Sequence, residues 1–189
     1  MTFRAARFTV FVALAAPLFA SSVPDIRNFD QVGPGVYRGG QPTAQGFQYL
    51  ASLGVRTVID LRESGERSNI EQKEVAGAGM TYVNVPMTGL TPPSQDEITK
   101  ILGLMENASA GPVFVHCQRG ADRTGAVIAA YHIDHDNWDN TRALKDAKAH
   151  SMSFFQVPRQ NFILHFQAHA NVPAAAQPVA VPATALLTN

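Results

Sequence analysis

Val113-Phe114-Val115-His116-Cys117-Gln118-Arg119-Gly120-Ala121-Asp122-Arg123-Thr124-Gly125 turns from a continuous apolar run into a short polar loop and then into an apolar segment. Val113–Val115 reads as a buried strand, and the stretch from Thr124 to about His135 as a central helix, apolar on most faces. A loop of this length between a strand and a helix can curl its backbone N–H groups inward. Such a nest, at the positive end of a helix dipole, binds a tetrahedral oxyanion. Gly120 permits a backbone conformation that a side chain obstructs, and Gly125 lets the helix pack closely. Arg123 returns to the ring six positions after the thiol, where its planar fork can hold two phosphate oxygens. The same positive surroundings stabilise a thiolate on Cys117, since a free thiol has a pKa near about 8.5 and such settings lower it to roughly 3.5–7.5. A thiolate beneath a clamped phosphate is a nucleophile aimed at phosphorus.

Outward from that segment, strand and helix signals alternate. Val36–Arg38 is a short strand between the Gly33-Pro34-Gly35 turn and Gly39-Gly40. Thr43 caps a helix that carries Phe47 and Leu50 and ends at Gly54. Val55–Leu61 is a β-branched buried strand, Glu66–Ala78 a helix stopped by Gly79, and Met80–Val85 another strand. Ser94 and Glu97 form a capping box for a helix with Ile98, Ile101, Leu102 and Met105 on one face. Two further helices are predicted around Asn140–His150 and Pro158–His169. The alternation predicts an α/β domain, a central mostly parallel sheet flanked by helices. In such sheets ligands sit beyond the carboxyl ends of the strands, which is where Cys117 lies.

The pattern His-Cys, five residues, Arg, Thr-Gly resembles the signature of the protein tyrosine phosphatase superfamily in its compact dual-specificity branch. Val36-Tyr37-Arg38 with Gly40-Gln41-Pro42, the Val58–Arg62 strand end and Asn84-Val85-Pro86-Met87 are similar to small bacterial and atypical dual-specificity enzymes. The resemblance covers about residues 29 to 168. It implies a cysteine-phosphatase fold and hydrolysis of phosphomonoesters without metal or other cofactor. Cys117 would attack phosphorus and become a phosphocysteine, with Arg123 holding the equatorial oxygens. Gln118, Arg119, Gly120 and Ala121 would line the phosphate cradle. Thr124 would hydrogen-bond the departing sulfur, and His116 would sit behind the loop, orienting its backbone and lowering the thiol pKa.

The chain departs from the family at the general acid. The family supplies an Asp from the loop after the preceding strand, whereas Met87-Thr88-Gly89-Leu90-Thr91-Pro92-Pro93 holds no carboxylate. Two candidates remain. Asp122 stands beside Arg123, and the Asp-Arg-Thr ending resembles myotubularin-type lipid phosphatases, while its alternative role is a salt bridge or cap that steadies the loop. Asp96 stands in the first turn of a helix, where a carboxylate also complements the dipole. Arg119 is either a recognition group for a multiply phosphorylated substrate or an exposed arginine. Arg62, Glu63, Glu66 and Arg67 lie near a strand end and either rim the pocket or, as the preferred reading, form a solvated charged loop. His132 with His135, and His165 with His169, are pairs without a third ligand and read as surface or helix-end histidines.

The 189 residues fit one domain. A hydrophobic content of 46% against 16% charged residues describes a globular chain rather than a disordered one. Zero formal charge offers no basic field for nucleic acid, and a single cysteine permits neither an internal disulfide nor a cysteine zinc cluster. Arg4 and Arg7, the apolar run Phe8–Ala20 and small residues at Ala20, Ser21 and Ser22 have the layout of a secretory signal over residues 1–22, cleaved after Ala20 or Ser22. That implies an exported, periplasmic or secreted protein with no stable membrane insertion after cleavage; a monomer is expected. Pro173, Pro178 and Pro182 in an Ala-rich, uncharged stretch mark 170–189 as a disordered tail, leaving 24–169 as the phosphatase domain. The expected substrate is a phosphotyrosine protein or a small phosphomonoester, with a phosphoinositide or inositol phosphate as the alternative. Two other classes compete. A rhodanese-like sulfur transferase also cradles an anion over one cysteine, though the five-residue gap to Arg and the Thr-Gly pair favour the phosphatase. The second is a phosphate-binding module without turnover.

Overall fold

The computed structural model describes residues 26–107, 109 and 111–168. The signal and tail readings lie outside these residues. The chain forms strands β1 (Asp30–Gly33), β2 (Val36–Gly40), β3 (Thr57–Asp60), β4 (Thr81–Asn84) and β5 (Val113–Cys117). The helices are α1 (Ala44–Ser52), α2 (Glu66–Gly77), α3 (Gln95–Met105), α4 (Asp122–Asp134), α5 (Asn140–Ala149) and α6 (Val157–His165). Strand order is β1-β2-β5-β3-β4. All neighbours run parallel except β1 and β2, which pair antiparallel. The expected mostly parallel α/β sheet is therefore present.

Local chemistry accounts for the helix ends. Thr43 accepts the Gly46 N–H at the start of α1, and Gly54 follows that helix with φ +83°. Ser94 and Glu97 make the reciprocal capping box of α3. Helix α4 starts at Asp122, two residues before the expected Thr124, and α6 stops at His165. Alternation along the strands separates two cores. Val58 and Phe114 face Phe47, Leu50, Val75 and Met80 beneath α1 and α2. Ile59 and Val115 face Ile98, Ile101, Val127, Ile128 and Ile163 beneath α3, α4 and α6.

The sheet brings the ends of β2 and β5 together, pairing Gly40 with Cys117. Glycine is required at this crossing. Gly120 has φ +69°, and a Cβ there would lie 2.4 Å from the Gly39 carbonyl carbon and 2.5 Å from the Gly40 nitrogen. Only two bare backbones fit so closely. The loop after β5 is thus pressed against the end of β2.

Candidate active site

Cys117 closes β5 and is 3% exposed, and α4 begins five residues later with its N-terminus behind the intervening loop. Burial alone would raise the thiol pKa. Hydrogen bonds from the Thr124 hydroxyl and backbone N–H and from the Arg119 N–H, together with the positive charge of Arg123, outweigh it and hold the thiol below its ordinary value. The buried Thr124 hydroxyl finds no partner of ordinary hydrogen-bond geometry among the described residues, which leaves its proton free to turn to the sulfur. The sign gives a pH test. The rate of Cys117 alkylation follows the thiolate fraction, so its inflection should lie below about 8.5. Thr124→Val, which removes the hydroxyl donor, should move that inflection upward. An unchanged inflection would show that Thr124 does not set the acidity of the thiol.

Arg123 donates through Nη1 to the carbonyls of Leu61 at 3.4 Å and Met87 at 3.3 Å, which orients its guanidinium across the ends of β3 and β4. With Arg62, Glu63, Arg67 and Gln118 it lines a cavity of about 230 Å³. Arg119 is 60% exposed and forms an ion pair with Asp122. The other Asp122 oxygen accepts the Ser153 N–H at 2.8 Å. Asp122 therefore holds Arg119 with one oxygen and the segment before α6 with the other, the steadying role of a bridge and cap. Asp96 is exposed on the first turn of α3.

Behind the loop lies a charged network that the sequence reading missed. His116 is fully buried. Its Nε2 lies 2.8 Å from Glu71, and its Nδ1 is 3.3 Å from the Cys117 carbonyl. Burial pulls the imidazole pKa down, but the bond to Glu71 and the charges of Glu71 and Asp60 overcome that and raise it. Arg62 reaches Asp60 at 2.7 Å and Glu71 at 2.5 Å. Arg62 is buried, correcting its expected place in a solvated loop, whereas Glu63, Glu66 and Arg67 are exposed as expected. Asp60, Glu71 and His116 stand close enough to hold a metal ion. Arg62 already engages both carboxylates, so the donor set is closed by a guanidinium.

Two buried arginines fix the loops from behind. Arg38, 1% exposed, donates to the Gly120 carbonyl at 3.0 Å, and burial lowers its pKa to about 10. Arg159, with no exposure, donates to the carbonyls of Thr88 at 2.6 Å and Gly89 at 2.8 Å. No local sequence signal reveals either, because each partner lies more than sixty residues away. Among the histidines, His132 stands in the last turn of α4, a helix-end position, though buried, and both His132 and His135 bond Asp136. His169 lies outside the described residues.

This geometry agrees with the comparisons to known proteins. The family described as DSP-PTPase phosphatase fused to NAD+ kinase matches residues 20–165. The chain is 30% identical over 132 residues to the dual specificity protein phosphatase TpbA of Pseudomonas aeruginosa, covering 69% of this chain and 58% of TpbA. It is 27% identical over 119 residues to the probable chloroplastic NAD kinase 2 of Oryza sativa subsp. japonica, 61% of this chain but 12% of that protein. The crystal structure of the core catalytic domain of the PP-IP phosphatase SIW14 from S. cerevisiae, in complex with citrate, superposes with a TM-score of 0.67. It shares 26% identity and covers 77% of this chain and 89% of that one.

Proposed function

Because the chain belongs to the DSP-PTPase phosphatase family of the protein tyrosine phosphatase superfamily, we propose that it hydrolyses phosphomonoesters through a phosphocysteine on Cys117. The observation that carries this is a thiol held below its ordinary pKa at a strand end, under a helix N-terminus, with Arg123 beside it. The Cys117 thiolate attacks phosphorus. An S–P bond forms while the ester P–O bond breaks, and the leaving oxygen takes a proton from solvent or, where it is freed, from Asp122. Water then attacks phosphorus and releases a proton to solvent, the P–S bond breaks, and sulfur departs as a thiolate stabilised by Thr124, leaving inorganic phosphate. Arg123 holds two equatorial oxygens throughout, and the backbone N–H groups of Gln118, Arg119, Gly120 and Ala121 complete the cradle. The secretory-signal layout of residues 1–22 supports export from the cytoplasm.

The leaving-group proton decides the substrate class. Asp122 can give one only after Arg119 leaves it for a substrate phosphate, since both its oxygens are engaged. General acid help is worth about 10²–10⁴ in rate. Without it, oxygens that depart as weak bases are favoured. Phosphotyrosine and aryl phosphates, whose leaving oxygen is phenolic, should therefore exceed phosphoserine peptides by about 10² or more in kcat/KM. TpbA, named a dual specificity protein phosphatase, supports the protein substrate. The arginines of the cavity and the name of SIW14, a PP-IP phosphatase, support an inositol phosphate as the second reading. Phosphate release from an aryl phosphate, phosphotyrosine and phosphoserine peptides and an inositol diphosphate ranks them. Equal rates on phosphoserine and phosphotyrosine would mean that a general acid is in place. Silence on the whole panel would leave the phosphate-binding module.

A further inference from the structure

In a trans peptide unit the C=O and the N–H point in opposite directions across one plane, so a carbonyl tied down on one side aims its partner N–H to the other. Three consecutive units of the phosphate loop are tied in this way. The Gln118 carbonyl accepts the Gln41 N–H at 3.4 Å, the Arg119 carbonyl accepts Asn28 Nδ2 at 3.0 Å, and the Gly120 carbonyl accepts Arg38 Nη2 at 3.0 Å. The N–H groups of Arg119, Gly120 and Ala121 therefore face away from these donors, toward Cys117. The first unit bears this out, since the Arg119 N–H donates to the Cys117 sulfur.

Two of the three tethers are side chains, and each is held in a setting that local stability does not explain. Asn28 has φ +50°, a left-handed backbone that asparagine adopts more readily than most residues. It hangs from a fixed strap, because Ile26 is buried in the core beneath α1 and α2 and the Arg27 carbonyl accepts the Gly40 N–H at 2.6 Å. Arg38 is 1% exposed, and its Nε and Nη1 make no hydrogen bond among the described residues, although Asp146 lies 3.5 Å from Nη1. Burying a guanidinium with so few partners costs stability. Among the described residues, its side chain hydrogen-bonds the Gly120 carbonyl alone.

We propose that Asn28 and Arg38 are positioning residues: by holding the Arg119 and Gly120 carbonyls outward, they keep the N–H groups of Gly120 and Ala121 turned to the phosphoryl oxygens before substrate arrives. Donors set in advance cost no reorganisation during the transfer. Gly120 makes the tethers necessary. With φ +69° and no side chain, it leaves the peptide units on either side of it free to rotate. A rotated unit would aim a carbonyl oxygen at the negative charge of the phosphate. The positioning rests on the phosphate cradle of the proposed function and does not require turnover.

Backbone amide resonances of the full chain, titrated with inorganic phosphate, test each tether separately. In the parent the Gly120 and Ala121 N–H signals should both move downfield as they donate to phosphate. Asn28→Gly keeps the left-handed backbone but loses the donor, and should remove about half or more of the Gly120 shift while sparing Ala121. Arg38→Met should do the reverse. Each variant should also lower kcat/KM on an aryl phosphate about tenfold, since the N–H survives and only its orientation loosens. That rate is read above the alkylation inflection, where the charge lost with Arg38 no longer changes the thiolate fraction. The melting temperature should stay near the parent value in both. Parental shifts with kcat/KM within about twofold in Asn28→Gly would overturn the proposal, whether or not Arg38→Met folds. So would absence of both shifts in the parent, or equal losses at both amides in both variants, which would mean a general loosening of the loop. A parent that hydrolyses nothing yet shows the one-to-one pattern would uphold the tethers and sink the phosphatase reading.

Discussion

Cys117→Ser should abolish phosphate release from every substrate the parent accepts, a loss of at least about 10⁴-fold in kcat. The surroundings act on an ion. The Thr124 hydroxyl, two backbone N–H groups and Arg123 stabilise a thiolate against the cost of burying it. A serine hydroxyl ionises far above any working pH, so the same donors have no anion to stabilise. Nor does the site offer a base to make one. His116 is buried with Nε2 on Glu71 and Nδ1 at a backbone carbonyl, and both Asp122 oxygens are taken. The cradle itself, built on Gly120 and Arg123, does not depend on sulfur. The variant should therefore keep its melting temperature and still bind inorganic phosphate, read by calorimetry beside the phosphate-release assay. Residual turnover within about tenfold of the parent would sink the phosphocysteine mechanism.

The elements legible in the sequence are those whose cause is local. The capping box at Ser94, the glycine after α1 and the apolar run into Cys117 each need only a few neighbouring residues, and each appears where expected. The first strand was missed for the same reason. Asp30–Gly33 is an edge strand with a register irregularity, half solvent-facing, and its four residues carry no alternation. It exists because β2 offers a free edge. The cradle was legible because its residues are contiguous. Its supports were not, since arginine reads as a surface residue until a distant partner buries it. Arg38 meets Gly120 from eighty-two positions away, and Arg159 meets Gly89 from seventy. Arg62 is buried because Glu71, one helical segment later, turns back to it and to His116.

Arg123→Lys should lower kcat/KM by about 10–10²-fold, although the charge is kept. A guanidinium donates in a fixed plane, and two charge-assisted bonds to phosphate oxygens are worth about 1.5–3 kcal/mol each. At about 1.4 kcal/mol per factor of ten, losing one of the two spans that range. The plane is already set before substrate arrives, because Nη1 bonds the Leu61 and Met87 carbonyls at the ends of β3 and β4. A lysine ammonium that reached those carbonyls would have one proton left for phosphate and none placed for a second oxygen. The equatorial oxygens gather charge geometry in the transition state that the ground state lacks, so kcat should fall more than KM rises. Alkylation should separate this from an effect on the thiol. Lysine keeps a positive charge near Cys117, and the inflection of its pH profile should move little. If Arg123→Lys retained kcat within about threefold, Arg123 would serve as a source of positive charge alone, and the bidentate clamp would have to be abandoned.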